Sequence, residues 1–223
     1  MVPSLWDVED TDASAIKVRD MTVAPVEAKE VREFARRYHY TGHAGADLWR
    51  WGLWHGPTLL GVVSYNNGTK DSAASVFGEE NKAHVWHMGR LALADECPRN
   101  SESRLIGGSL RAIAADWPEV WAVLTYAATT QGHLGYVYQA TNALYTGVSA
   151  ERMYYTDTKG RTMTQRPGRY QLKVADAAAR GWTKHLGGVK HRYVYVLGSK
   201  TQRKERMRLL RLRSLPYPKE VPS

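Results

Sequence analysis

The chain is poor in cysteine and lacks the motifs of several large enzyme classes. Its 223 residues include a single cysteine, Cys97, which excludes an internal disulfide framework and a zinc site built on several thiolates. It contains neither a P-loop nor a Pro-Pro pair. These absences exclude an ordinary nucleoside triphosphatase and the paired-proline motif of DNA amino-methyltransferases. A deaminase-type zinc centre is excluded by the lack of spaced cysteines.

Long apolar runs are also missing. No stretch approaches the roughly 20 apolar residues that a membrane span requires. Residues 1–12 carry four acidic side chains and no apolar segment, so we expect no secretory signal peptide. Hydrophobic residues make up 43% of the chain and charged residues 24%, which is enough to bury a core. We therefore expect a soluble intracellular protein.

Positive charge is concentrated in two segments of a chain whose net charge is +9. Residues 158–173 hold five basic side chains and no acid, and residues 199–223 hold eight against two acids. Clustered Lys and Arg displace counterions from nucleic acid, so both segments are predicted to bind it. A solvated surface is the alternative, and the apolar residues at 207–212 leave an amphipathic partner- or lipid-binding helix open. The candidate contacts are Lys159, Arg161, Arg166, Arg169, Lys173, Lys200, Arg203, Lys204 and Arg206.

Hydrophobic periodicity predicts an α/β (α+β) fold in one domain, with a mixed central sheet flanked by helices. Residues 66–81 are predicted to form a polar loop. The predicted organisation is an N-terminal lead at 1–15, a domain at 16–198 that includes the basic insertion 158–173, and a basic tail at 199–223. Helices are predicted at 25–38, 101–116 and 134–145, and strands at 16–22, 48–55, 59–66, 85–94, 121–127, 149–156 and 192–197.

The most informative stretch is 88–111, where a strand, a turn and a helix follow one another. A helix N-terminus presents unsatisfied N–H groups and a positive dipole end to an anion such as pyrophosphate. The spacing Arg104-x-x-Gly107-x-Ser109, with Gly108 between, is similar to the coenzyme A signature of the GNAT N-acyltransferases. These four residues are the candidate cofactor site, and the similarity implies acetyl-CoA or a related acyl donor. The alternative is a glycine pair that lets the helix pack closely on the sheet.

Histidine pairs raise the question of a metal site. His39 and His43 stand four residues apart, but Thr41-Gly42 between them disfavours the helix that would align them. His84 and His87 are expected on opposite faces of a strand. We therefore expect loop or hydrogen-bonded histidines at these positions.

Six ordered motifs over about four-fifths of the chain resemble the Mom family of bacteriophage DNA-modification proteins, a GNAT-like group. The resemblance implies a phage-encoded enzyme of the host cytoplasm that converts adenine in double-stranded DNA to N6-carbamoylmethyladenine, which shields phage DNA from restriction. The motifs are Tyr38-His-Tyr-x-Gly42, Arg90-Leu-Ala-Leu93, Pro98-Arg-Asn-Ser-Glu-Ser-Arg104, Gly132-His-x-Gly-x-Val-Tyr-Gln-Ala140, Lys190-His-Arg-Tyr-Val194 and Leu215-Pro-Tyr-Pro-Lys219.

The family's functional residues, carried over by position, are His39, Tyr40, Arg90, Ser103 and Tyr138. Histidine titrates near neutral pH, so His39 is the candidate base for the exocyclic amine of adenine. The resemblance also implies iron, for which His39 is the candidate ligand.

One departure from the family concerns a carboxylate. The family motif after the buried strand reads Ala-Asp, where this chain has Ala127-Ala128. A ligand or base at that place is therefore missing here or has moved to Asp95 or Asp157, and this argues against iron dependence.

Chemistry on the exocyclic amine requires an extruded adenine that stacks on an aromatic side chain. Tyr40, Tyr65, Tyr126 and Tyr138 are the candidates. Two other functions stay open: a GNAT acetyltransferase acting on a small amine or protein lysine, and a non-catalytic DNA-binding protein on a GNAT-like scaffold. The donor of the transferred group and a homodimeric state are also left open.

Overall fold

The computed structural model describes residues 16–39, 42, 45, 47–129, 132–151, 153–160, 162–164 and 174–220. Short 3-10 turns occupy Val18–Asp20 and Glu79–His84. The helices are Ala28–Tyr38 (α1), Lys70–Phe77 (α2), Ser101–Asp116 (α3), Tyr136–Ala140 (α4), Val174–Ala179 (α5) and Lys200–Leu209 (α6). The strands are Thr22–Pro25 (β1), Trp49–His55 (β2), Thr58–Asn66 (β3), Val85–Leu93 (β4), Ala122–Ala128 (β5), Leu144–Val148 (β6), Met153–Thr156 (β7), Thr162–Thr164 (β8), Thr183–Leu186 (β9) and Lys190–Val196 (β10).

A mixed sheet of seven strands forms the centre of this α/β fold. Its strand order is β1-β2-β3-β4-β5-β10-β6, and a separate antiparallel sheet has the order β8-β7-β9. The β4–β5 pair is parallel, with Val85 opposite Ala122, whereas β10 pairs antiparallel with both β5 and β6. The fold class predicted from the sequence is confirmed.

The chain forms two compact units. The first comprises the described residues of Met1–Asn66 and Gly89–Ala112, and the second those of Asn67–Met88 and Ile113–Ser223. Strand β4 therefore begins in the second unit and ends in the first.

The core of the first unit lies between α1 and its strands. Val31, Phe34 and Ala35 form the buried face of α1 and pack with Val62 of β3 and Ala92 of β4. A capping box starts this helix, because Glu27 and Glu30 each accept a hydrogen bond from the other's backbone N–H. The β2–β3 hairpin turns at residues 56–57, as the Gly-Pro pair predicts.

The core of the second unit lies under α2. Ala73, Val76 and Phe77 pack with Val85, Ala122, Leu124 and Val194 from three strands. Thr69 caps the helix by accepting a hydrogen bond from the Ser72 N–H. The apolar spacing and the cap explain why residues 70–77 are helical, so the prediction of a polar loop at 66–81 is wrong.

Two further predicted elements are also corrected. The helix predicted at 134–145 ends at Ala140, because Asn142 adopts a left-handed φ of 61°, and residues 144–148 then form β6 beside β10. The strand predicted at 16–22 is a 3-10 turn followed by β1, which begins at Thr22. By contrast, the helix predicted at 101–116 agrees with α3 at both ends.

The described part of the predicted basic tail is held against the second unit. Arg211 N–H donates to the Val76 carbonyl, and Leu215 N–H donates to the Tyr145 carbonyl. The Tyr217 hydroxyl donates to the Ala143 carbonyl over 2.9 Å. Residues 199–220 are thus a capped helix followed by a strap along the edge strand β6.

Within the described residues, no helix combines the length and apolarity needed to cross a bilayer.

Candidate functional site

The turn between β4 and α3 positions the first candidate residues in the first unit. Asn100 takes a left-handed φ of 75°, and its carbonyl accepts a hydrogen bond from Arg104 N–H over 3.0 Å. The Ser101 hydroxyl donates to the Pro98 carbonyl over 2.7 Å. Ser103 lies half-buried in the first turn of α3, where the positive end of the helix dipole favours an anion. This turn can hold a phosphate or the transferred group.

The predicted cofactor residues that follow on α3 have packing roles. Gly108 faces Val23 of β1 so closely that a Cβ would lie 2.6 Å from a Val23 methyl carbon. Ser109 is fully buried, and its hydroxyl donates to the Ile106 carbonyl and lies 2.6 Å from the Tyr65 hydroxyl. Gly108 therefore supports the close-packing alternative, and Ser109 lies in the core.

Arg104 and Gly107 lie at the more open side of the same helix. The Arg104 guanidinium donates from Nε and Nη2 to the Met21 carbonyl, at 3.3 and 3.0 Å, and so fixes the segment that precedes β1. A Cβ at Gly107 would meet only the flexible end of Arg111, at 3.3 Å. A cofactor that contacts α3 would therefore use its first turn rather than the Gly108–Ser109 pair.

Arg90 and His39 complete the candidate residues of the first unit. Arg90 is half-buried on β4; its Nη1 donates to the Gly89 carbonyl over 2.7 Å, and its guanidinium lies against Gly45. His39 ends α1 in an extended conformation, and its N–H donates to the Ala35 carbonyl. Tyr40 and His43 lie outside the described residues.

Tyr138 lies in the second unit on the short helix α4. Its ring centroid is 5.4 Å from that of Tyr193, whose hydroxyl donates to the Leu134 carbonyl and accepts from Gln139. Gly135 precedes the helix at a φ of 77°, and a Cβ there would lie 2.6 Å from the Tyr193 ring. This contact makes glycine necessary and fixes the wall against which Tyr138 packs.

Beside this wall is a buried histidine that the sequence analysis missed. His191 is 1% exposed, and its Nδ1 lies 3.0 Å from the Tyr145 hydroxyl. Among the described residues, its buried Nε2 has no hydrogen-bond partner. Burial lowers the pKa of His191 and raises the pKa of Tyr145 and Tyr193. The cluster is therefore neutral at pH 7. The motif Lys190-His-Arg-Tyr-Val194 contains this histidine, but no role was assigned to it from the sequence.

The histidines considered as metal ligands make other contacts. The His84 ring stacks on Trp121 with centroids 3.9 Å apart, and Nδ1 hydrogen-bonds the Glu119 carbonyl. His87 lies on β4 with Nε2 at 3.2 Å from the Ser72 hydroxyl. No group of three or more His, Cys, Asp or Glu side chains within the described ranges could hold a metal ion.

Ala128 stands where the family motif has an aspartate, so this position carries no carboxylate. Ala128 is buried at the end of β5, where its carbonyl accepts from His133 N–H. Asp95 is exposed, and Asp157 accepts a hydrogen bond from Lys159 N–H within a turn. The described residues therefore do not fit the implied iron.

Cys97 is not arranged as a nucleophile. Its thiol donates to the Leu60 carbonyl over 3.2 Å, and burial raises its pKa. A protonated thiol is a poor nucleophile. Cys97 instead packs against the core of the first unit.

The two basic segments are described to different extents. Lys159 is exposed in the turn after β7, whereas Arg161, Arg166, Arg169 and Lys173 lie outside the described residues. On α6, Lys200, Arg203 and Lys204 are exposed, as is Arg208, which the sequence analysis did not select.

Arg206 departs from the prediction of a DNA contact. It is buried, and it donates to the carbonyls of Leu197 and Pro118 at 2.8 and 3.1 Å. Its guanidinium also lies over the Trp121 ring. Arg206 is therefore a structural anchor of α6 and not a phosphate contact.

The central mixed sheet and its helices define an α/β class of protein. A GNAT-family acetyltransferase from Streptococcus pneumoniae is similar at a TM-score of 0.46 and 10% identity, covering 80% of this chain and 99% of that one. An N-acetyltransferase from Staphylococcus aureus Mu50 is similar at a TM-score of 0.48 and 7% identity, covering 80% and 99%.

Comparison with protein families identifies the chain more specifically than its fold class does. The chain belongs to the Mom protein family, whose model matches residues 20–219, and the resemblance inferred from its motifs is confirmed. The chain is also 33% identical over 107 residues to the methylcarbamoylase Mom of Escherichia phage Mu. That match covers 48% of this chain and 44% of the relative, so it spans less than half of the relative's length.

Proposed function

We propose that this protein is a DNA-modifying transferase that converts adenine to N6-carbamoylmethyladenine and so protects phage DNA from host restriction. Membership of the Mom family over residues 20–219 carries the proposal. The name of the phage Mu relative, methylcarbamoylase, supports the nature of the transferred group. The exposed cations of α6 support a polyanionic substrate.

The reaction requires activation of a weak nucleophile. The N6 lone pair of adenine is delocalised into the ring, so its attack on a methylene carbon needs a proton acceptor and a good leaving group on the donor. We assign the role of proton acceptor to His39. Stacking of the extruded adenine is assigned to Tyr138, which packs on Tyr193, or to Tyr40. Arg90 is assigned to the amide carbonyl of the transferred group or to a phosphate.

The first turn of α3 is the proposed holder of the donor. Ser103 and the adjacent N-terminal backbone fit a phosphate-bearing donor of the acyl-CoA type, because they join a hydroxyl to the positive end of a helix dipole. Gly108 and Ser109 do not take part, because one packs on Val23 and the other on Tyr65.

Binding to duplex DNA is assigned to α6 and to the basic segment 158–173. Three cations of α6 recur at intervals of four residues: Lys200, Lys204 and Arg208. They therefore form one row on the helix, with the Cβ atoms of neighbours about 6 Å apart. All three are exposed, while Arg206 fixes the opposite side of the helix. Such a row can follow a phosphate backbone without reading its sequence.

Restriction of plasmid DNA tests the proposal. Plasmid from cells that express the protein is digested with enzymes whose sites contain adenine and, as a matched control, with enzymes whose sites contain only G·C pairs. We expect resistance at part of the adenine-containing sites and full cleavage at the G·C sites. Full cleavage by both sets, or equal resistance to both, contradicts the proposal.

A further inference from the structure

The first residue of α4, Tyr136, presents an aromatic ring to solvent at the surface of the second unit. Tyr136 is 67% exposed, the highest value among the large hydrophobic side chains that the structure describes. Tyr138, two residues later, is half-buried and packs on Tyr193 of the sheet. Residues two apart on a helix project about 200° from each other. Helix α4 therefore directs one tyrosine toward the sheet and the other away from it.

The backbone that carries Tyr136 is held in place by contacts on both sides of the helix. The Gln139 amide donates to the Leu134 carbonyl over 3.1 Å, before the helix begins. The Thr141 hydroxyl lies 2.6 Å from the Tyr195 hydroxyl, after the helix ends. An exposed ring on a backbone fixed in this way gives up little conformational freedom when it enters a ligand.

The chain around α4 lacks the residues that carry a permanent charge. Residues 120–150 contain no Asp, Glu, Lys or Arg, although the net charge of the chain is +9. An acidic side chain would be repelled by the phosphates of a duplex, and a Lys or Arg would be held at them. The inside of a base-pair stack is uncharged and accepts flat aromatic rings of any base neighbour. A neutral tyrosine in a neutral segment thus suits the bases, whereas the cations of α6 suit the phosphates.

Extrusion of an adenine leaves a gap in the stack of the duplex. Unstacking and unpairing cost free energy, and proteins that open DNA offset part of this cost by inserting an apolar or aromatic side chain between base steps. Such a side chain has to be exposed, held on a fixed backbone, and close to the residue that receives the base. Tyr136 has the first two properties, and its distance along the helix axis from Tyr138 is about 3 Å.

We propose that Tyr136 enters the duplex and fills the gap that the extruded adenine leaves, while that adenine stacks on Tyr138; this rests on the proposed function. Tyr136 contacts the neighbouring base pairs and takes no part in the making or breaking of bonds. Its ring stabilises the open duplex, so it matters only where the adenine starts in a complete stack. An adenine that is already unpaired is extruded at a lower cost and depends less on the ring.

The experiment compares paired and mismatched adenines in one DNA sequence. Two tagged oligonucleotide duplexes are copied from a plasmid region that the wild-type protein modifies in cells, one with thymine and one with cytosine opposite each adenine. Each is added to cleared lysates of cells expressing the full chain, whose metabolites supply the group donor. The duplexes are recovered, and mass spectrometry of their nucleosides gives the rate of adenine modification.

We expect the loss of the ring to affect the paired duplex selectively. Tyr136→Ala and Tyr136→Gln should lower the rate on the paired duplex about 10-fold or more, the effect of losing one stacking contact. On the mismatched duplex the loss should stay below about 3-fold. Tyr136→Phe, which keeps the ring, should retain both rates. Leu186→Ala is the matched control, because Leu186 is 63% exposed but lies on β9 of the separate sheet.

Two results overturn the inference: a wild-type rate on the paired duplex for a folded Tyr136→Gln, and equal losses on the paired and mismatched duplexes. Equal losses with a lower mass of the variant in solution would place Tyr136 at an interface between copies of the chain instead. The Gln variant keeps a long side chain that favours a helix, so it covers the case in which Tyr136→Ala does not fold. If the wild-type protein modifies no adenine in cells, the proposed function itself fails. If it does so and Tyr136→Gln acts equally on the paired duplex, only this inference fails.

Discussion

The guanidinium of Arg206 donates to the carbonyl of Leu197 over 2.8 Å, which turns one basic side chain of α6 inward. A second bond to the Pro118 carbonyl and a contact with the Trp121 ring complete its surroundings. Lys204, two residues earlier, is exposed. The charge of this helix therefore divides into one anchor and several cations that can meet a polyanion.

Loss of the anchor should reduce stability. We expect Arg206→Ala to lower the free energy of unfolding by at least about 2 kcal/mol, because two carbonyls lose a charged donor and the stacking on Trp121 is lost. Arg203→Ala, an exposed change on the same helix, should stay within about 0.5 kcal/mol of the wild type. Urea unfolding of both variants checks this, and equal losses would refute the anchor role.

Loss of the exposed row should instead reduce DNA affinity. Replacement of Lys200, Lys204 and Arg208 by Ala should weaken binding to a duplex and reduce the slope of log affinity against log salt by about 0.9 for each lost phosphate contact. The melting temperature should not change. Replacement of Arg32, Arg36 and Arg37 on α1 removes the same charge and should leave the slope as it is. Equal slopes for both triple variants would show that α6 does not contact the phosphates.

The two glycines of α3 should respond in opposite directions to alanine. Gly107→Ala should stabilise the protein by up to about 1 kcal/mol, since the added Cβ meets only the mobile end of Arg111. Gly108→Ala should destabilise it by about 1–3 kcal/mol, because the Cβ would press on Val23. Thermal or urea unfolding measures both. A neutral Gly108→Ala variant would remove the packing explanation for this glycine.

The buried His191 should make the protein less stable as the pH falls. Burial lowers its pKa in the folded protein below the unfolded-state value of 6.5, so the unfolded chain binds the proton more readily. The contribution of neutral His191 is therefore complete above pH 6.5 and is lost as the pH falls below it. Comparison of wild type and His191→Gln over this range should show a smaller decline for the variant. Parallel profiles would contradict this origin of the decline.

Elements with strong periodic patterns were predictable from the sequence. Helix α3 begins with a serine-rich turn and ends before Trp117-Pro118, and the Gly56-Pro57 pair marks the hairpin between β2 and β3. Helix α2 was missed because four of its eight residues are polar and its buried face consists of only Ala73, Val76 and Phe77. Residues 144–148 become a strand because they pair with β10, a contact across more than 40 residues that local periodicity does not contain.

The elements on which the candidate residues lie were predictable from the sequence, but the contacts of their side chains were not. The motifs placed Ser103 in the first turn of α3, where the structure has it. The packing of Gly108 on Val23 depends on a strand about 85 residues earlier, and the partners of Arg206 include Pro118, 88 residues away. The pairing of His87 with Ser72 depends on the angle between α2 and β4, which the sequence pattern does not encode.

Mass spectrometry of nucleosides is the most direct measurement of the central claim. Plasmid DNA from cells that express the protein, and from cells that express an Arg90→Ala variant at the same level, is digested to nucleosides and separated. We expect a deoxyadenosine species heavier by one carbamoylmethyl group in the wild-type sample, and its loss or strong reduction in the variant. Unmodified deoxyadenosine alone in the wild-type sample would contradict the account.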